Sequence, residues 1–284
     1  MSLSEFHLSR RSVAIACALA GMVSLAIGAH AALNMRALDA AKAIATAQDD
    51  AATPRTSRIA LVIGNGHYPD ATAPRVQPIN DARALTSALR RDGFEVDVVE
   101  DASRDDIIRA VERLKSKIRR DSVVMLYFGG YGIQVGRESY MIPVDAAIWK
   151  ESDVRRNGVS IESVLDVMQE RGARAKLVVV DASRRNPYER RFRSFSHGLA
   201  PINTPDNALI LSSATPGKVA DDSSGQYSVL MAELLNNLNG QTGIEASFNK
   251  TRVAISRASE GEQVPSVSSS LTDDLRFGSN EAGG

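Results

Sequence analysis

Cysteine is all but missing from this sequence: the 284-residue chain has one, Cys17. A single thiol can build neither an intrachain disulfide nor a multi-thiolate zinc site, so burial rather than cross-linking must stabilise the fold. Net charge is missing as well. The 34 basic and 34 acidic side chains cancel at pH 7, which removes the broad positive field that phosphate-backbone binders need and leaves no acidic tail. Nucleic acid is therefore excluded as an expected partner. There is no internal repeat and no zinc-ligand spacing, and no metal or cofactor is expected. What is present, 43% hydrophobic and 24% charged residues, is the balance of a soluble globular protein long enough to bury a sizeable core.

The place of the lone Cys matters more than its number. It lies in a segment where Arg10 and Arg11 precede an almost wholly apolar run from Val13 to Leu33, and where Ala29-His30-Ala31 supplies a small-residue exit. Charged start, apolar middle and A-x-A end are the order of a secretory signal. The same run is long enough to cross a bilayer uncleaved, so residues 1–31 read as a signal peptide or a membrane anchor. In both cases Arg10 and Arg11 favour the inner side of the membrane, which places the body outside the cytoplasm and limits membrane contact to the N-terminal segment. Ser9-Arg10-Arg11-Ser12 also fits a twin-arginine signal, with Val13 where a Phe is usual, or two ordinary leader charges. Cleavage after Ala31 would remove Cys17 and leave His67 and His197 as the histidines. Residues 32–56 have no bulky apolar stripe and read as a linker.

From Arg58 to about residue 280 the pattern becomes that of one domain. Short β-branched runs (Ile59 to Ile63, Phe94 to Val99, Val123 to Phe128, Leu177 to Val180, Ala208 to Leu211) read as strands. Between them lie helical stripes: Ile79, Ala82, Leu85 and Leu89, ended by Gly93; Ile107, Val111, Leu114 and Ile118, opened by a Ser103/Asp106 capping box; Ile161, Val164, Leu165 and Met168, ended by Gly172. Two more helices follow, through Tyr227 to Leu238 and through Phe248 to Ile255. Alternating strand and helix predicts an α/β fold with a mostly parallel sheet covered on both faces. In such sheets ligands gather beyond the carboxyl ends of the strands. Four loops lie there: Gly64 to Pro78, Gly129 to Gly132, Asp181 to Pro187, and Thr215 to Gly225.

A nucleotide-binding reading starts from Gly64-Asn65-Gly66 after the first strand, with Glu100 and Asp101 ending the second where a ribose-binding acid would sit. The third glycine is absent, and Pro69, Pro74 and Pro78 separate Gly66 from the next helix. A turn glycine at a strand exit explains the pattern better.

Several ordered blocks resemble the caspase and metacaspase superfamily, in particular its bacterial caspase-like (orthocaspase) branch. They are Arg58-Ile-Ala-Leu-Val-Ile-Gly-Asn, Asn80-Asp81-Ala82-Arg83, Gly93-Phe94-Glu95-Val96, Tyr140-Met-Ile-Pro-Val-Asp145, Val180-Asp181-Ala182, Arg184 with Asn186-Pro187, Ala214-Thr215-Pro216-Gly217, and Ser268-Ser-Ser-Leu271. The resemblance covers residues 58–277 and implies a three-layer sandwich, a six-stranded mostly parallel sheet flanked by helices. With the leader, it also implies a periplasmic protein or one anchored in the inner membrane facing the periplasm.

The same resemblance locates a catalytic dyad and shows it replaced. Family members carry Ser-Gly-His-Gly after the third strand, the His being the general base; here Gly129-Gly130-Tyr131-Gly132 puts Tyr131 in that place. They carry Asp-Ala-Cys-Arg-x-Asn-Pro after the fourth, the Cys being the nucleophile; here Asp181-Ala182-Ser183-Arg184-Arg185-Asn186-Pro187 puts Ser183 in that place. A thiol, with a pKa of about 8.5, ionises readily beside a histidine. A serine hydroxyl does not, and a phenol, whose reference pKa is about 10, is a neutral hydrogen-bond donor near pH 7. Losing a nucleophile or base in a triad enzyme lowers the rate by a factor on the order of 10⁴ to 10⁶. The expected function is thus a catalytically inactive, exported module that binds peptides or proteins. The alternative is an unorthodox hydrolase with specificity for basic residues, in which Ser183 is activated by Tyr131, with Arg184 and Arg185 nearby, or by His67 or His197.

Asp181 resembles the acid that holds a basic substrate side chain in metacaspase-like enzymes, with Asp221 or Asp222 beside the same pocket; hydrogen bonding of Asp181 to nearby backbone is the plainer role. Gln263-Val264-Pro265-Ser266 lacks the aromatic that family members often have after that Pro. Finally, Arg184, Arg185, Arg190, Arg191 and Arg193 fall within ten residues, with Tyr188, Phe192 and Phe195 among them. Such a loop is a solvated face, a cleavage site for another protease, or a docking site for an acidic partner or anionic headgroups.

Overall fold

Two of the strands are buried along their whole length, and their place in the sheet explains why. In the computed structural model, which describes residues 56–69, 75–182, 199, 202–213, 225–238 and 242–278, β3 (Val123–Gly129) and β7 (Ala175–Asp181) are buried at every position. They lie at the centre of a six-stranded sheet ordered β2-β1-β3-β7-β8-β9, with β1 at Arg58–Gly64, β2 at Glu95–Glu100, β8 at Ala208–Ser212 and β9 at Ser266–Ser269. The first five strands are parallel and β9 runs antiparallel to β8. A central parallel strand is covered on both faces, so it needs no polar side.

Side chains alternate between two cores. Leu61, Ile63, Leu126, Phe128, Val178 and Val180 face one, with Ile107, Ala110 and Leu114 of α2 (Arg104–Lys117) and Val164, Leu165 and Met168 of α4 (Ile161–Glu170). Ala60, Val62, Met125, Tyr127, Leu177 and Val179 face the other, under α1 (Gln77–Arg91), α5 (Val229–Asn237) and α6 (Ile244–Ala258). This is the three-layer α/β sandwich that the strand–helix alternation and the resemblance implied. The punctuation also agrees. Ser103 and Asp106 form a reciprocal capping box, and Gly93 takes φ +78 directly after α1, a conformation a side chain would disfavour.

The sequence pattern left one layer unread. Between β3 and α4 stand a hairpin, β4 (Gly132–Val135) and β5 (Glu138–Met141), the short strand β6 (Val159–Ser160) and the helix α3 (Glu151–Asn157). The three strands form a second, antiparallel sheet with its own apolar core of Tyr68, Tyr131, Ile133, Val135, Tyr140, Ile142, Ile148 and Val154.

Candidate functional site

The chain leaves β1 toward β2 on one side and leaves β3 toward β7 on the other, so the connections part between β1 and β3. Beyond the carboxyl ends of such strands a crevice opens. The strand ends are aligned there, Gly64 beside both Glu100 and Gly129, and Gly129 beside Asp181. Asn65, fully buried, bolts the rim together. Its amide N–H donates to Gly129 O at 2.8 Å, its side chain donates to Ile142 O at 3.2 Å, and its Oδ1 accepts from Ala102 N at 2.8 Å. That network is the work of a structural side chain, and it explains the Gly64-Asn65-Gly66 turn without a nucleotide.

Tyr131 stands in the loop that follows β3 and is buried in the core of the small sheet. Gly130 N donates to Asp181 O at 3.4 Å and Gly132 N to Ala182 O at 3.2 Å, so the residue between them is pinned against the end of β7, one step before Ser183. The approach is close enough to need glycine: a Cβ on Gly132 would stand 2.9 Å from that of Ala182. The Tyr131 ring is only 5% exposed and packs on Tyr68 with centroids 4.2 Å apart. Tyr68 completes the clamp, its hydroxyl accepting from Tyr131 N at 3.0 Å and donating to Ile142 O at 2.9 Å. The Arg75 guanidinium lies 5.9 Å from the Tyr131 centroid, within cation–π range.

Asp181 is buried at the end of β7, 2% exposed. Ser183, Asp221, Asp222, His197 and the arginine-rich stretch 184–193 lie outside the described residues. Among the described residues no three His, Cys, Asp or Glu gather as metal ligands.

One pair was missed. Read from sequence, His67 is at most an activator of Ser183, and Asp101 enters only through the nucleotide pattern that was set aside; in the structure they belong to each other. Asp101 follows β2 with φ +48, and its Oδ1 accepts from Gly66 N at 2.8 Å and His67 N at 2.9 Å. Its Oδ2 lies 2.6 Å from His67 Nδ1. Desolvation, the largest single influence, pushes the carboxyl up, yet the backbone N–H groups of Gly66 and His67 and the imidazole together hold it below the ordinary aspartate range. The other half of the nucleotide reading fails too, because Glu100 is engaged by Arg83 through two hydrogen bonds of 2.7 and 2.6 Å. Spacing could not have paired His67 with Asp101. They are 34 residues apart and meet because β1 and β2 are neighbours.

Comparison with known proteins agrees with this architecture. Residues 57–276 match the family model described as the caspase domain. Over 134 residues the chain is 29% identical to the human mucosa-associated lymphoid tissue lymphoma translocation protein 1 and 30% identical to its mouse homolog. Each match covers 46% of this chain and 16% of the relative's length.

Proposed function

The chain belongs to the caspase-domain family, and on that premise we propose that it is a member catalytically inactive at the dyad positions, an exported pseudopeptidase that works by binding peptides or proteins. The observation that carries this reading is the burial of Tyr131. A general base has to reach the proton it takes, and the side chain at the base position is instead packed into the core under Tyr68. Ser183 at the nucleophile position supports the same conclusion, because a hydroxyl without a base is a poor nucleophile. Asp221 and Asp222 supply carboxylates for a ligand carrying Lys or Arg, Asp181, buried at the end of β7, adds its charge without direct contact, and the arginine-rich stretch 184–193 would suit an acidic protein partner. The leader pattern of residues 1–31 supports export.

Peptides containing Arg or Lys test both halves of the proposal. Neither wild type nor Ser183→Ala should hydrolyse them, while fluorescence anisotropy should register binding that replacing Asp221 and Asp222 together by Asn weakens about tenfold, the loss expected for one charge-assisted hydrogen bond. Turnover that depends on Ser183 would overturn the inactive reading. Intact mass of the protein from its native host tests cleavage after Ala31.

A further inference from the structure

We propose that His67 and Asp101 form a base and its positioning residue, a hydrolytic site for acyl esters on the rim of the crevice, separate from the replaced dyad. The proposal concerns the loops after β1 and β2 and stands whether or not the crevice binds peptides.

Geometry carries the argument. An ionised carboxylate can only accept hydrogen bonds, so the 2.6 Å contact places a proton on Nδ1 and, in the neutral ring, leaves the lone pair on Nε2. Asp101 cannot swing away, since its other oxygen is held by two backbone N–H groups and its own N–H donates to Gly64 O at 2.8 Å. A base oriented by a fixed third group is the arrangement that activates hydroxyls and water in hydrolases. A pairing meant only for stability needs no access to solvent, but the His67 side chain is 55% exposed. Asp101 itself takes φ +48, a backbone cost of the kind found where a side chain must be aimed.

The chemistry balances without a cofactor. His67 Nε2 takes a proton from water as the water oxygen bonds to the acyl carbon. The resulting tetrahedral oxyanion collapses, the bond to the leaving oxygen breaks, and the imidazolium proton passes to that oxygen or to solvent. Ester and water become acid and alcohol, and neutral His67 is restored. Esters rather than amides are the substrate class, because an alcohol or phenol leaves without the strong acid assistance that an amine requires.

The probe is p-nitrophenyl acetate, too small to depend on Asp181, tested on the full chain. Wild type should turn it over at least about a hundredfold faster than His67→Ala, the lower edge of general-base contributions. Asp101→Asn gives the sharper result. Its Oδ1 can keep both backbone hydrogen bonds while its amide donates to Nδ1, which forces the imidazole proton onto Nε2 and blocks the base, so a loss of similar size is expected. Ring nitrogen-15 NMR reads the tautomer directly: neutral His67 should carry its proton on Nδ1 in wild type and on Nε2 in Asp101→Asn. Equal rates in wild type and His67→Ala would overturn the proposal. So would a wild-type proton on Nε2, a measurement that needs no variant to fold.

Discussion

The loops after β1 and after β3 leave neighbouring parallel strands at the same end of the sheet, yet His67 of the first and Tyr131 of the second meet opposite surroundings. The β3 loop buries Tyr131 in the core of the small sheet, with Tyr68 stacked on it. The β1 loop keeps His67 in water and ties it through Asp101 to backbone N–H groups. The difference follows from what each ring asks of its surroundings. A buried aromatic contributes through apolar area, about 25 cal/mol per Å², and so binds its loop to a core. An imidazole has to keep its nitrogens solvated or paired, so it survives as a chemically useful group only at the rim. The buried Tyr131 and the tethered His67–Asp101 pair thus stand on loops that follow neighbouring strands.

The largest expected effect tests the packed half of that contrast. Tyr131→Ala removes a buried aromatic and leaves a cavity beneath Tyr68, at a cost of about 3 kcal/mol. His67→Ala loses one exposed pair, about 0.5 kcal/mol. Urea denaturation of the two variants should differ accordingly. If Tyr131→Ala were as stable as His67→Ala, the claim that Tyr131 belongs to a core would fail.

A smaller effect is expected where the β3 loop meets β7. A methyl group at residue 132 would lie 2.7 Å from Leu199 Cδ2 and 3.0 Å from Ala182 O. The second neighbour is backbone and cannot turn aside. Gly132→Ala should therefore destabilise by about 2 kcal/mol through overpacking, again measured by urea denaturation. An unchanged midpoint would mean that the loop is not pinned to β7, and that Tyr131 is free to leave its core.

How much of this was legible in the sequence depended on the range of the interaction. The central strands announce themselves as continuous apolar runs because both faces of β3 and β7 are covered. The Ser103 cap and the Gly93 stop are equally plain, since their partners lie within a few residues. The small sheet was invisible: β4 and β5 have four residues each and β6 has two, too short for a period to show. The two dyad positions were read by resemblance to a family motif, but Tyr68 stacking on Tyr131 joins residues 63 apart, and the pairing of His67 with Asp101 needed the register of β1 against β2. Local rules located the strands and helices. Only the assembled sheet shows which of these residues meet.

The smallest expected effect concerns acid, and it tests the solvated half of the contrast. The Asp101 carboxyl is held below its ordinary range in the folded protein. Its contribution to stability is therefore fully present above the unfolded value of about 3.9 and is lost as pH falls through the lower folded value. Asp106, Asp153 and Asp273 are depressed as well, so the whole protein should weaken in acid, and only a difference isolates Asp101. Thermal unfolding of wild type and Asp101→Asn should show wild type ahead by about 2 °C at pH 6, as one partly exposed pair in a domain of this size allows. The gap should close as pH falls from 5 toward 2.5. A gap that stayed constant across that range would mean that the carboxylate is not what holds His67 in place, and the contrast between a packed tyrosine and a tethered histidine would lose its electrostatic side.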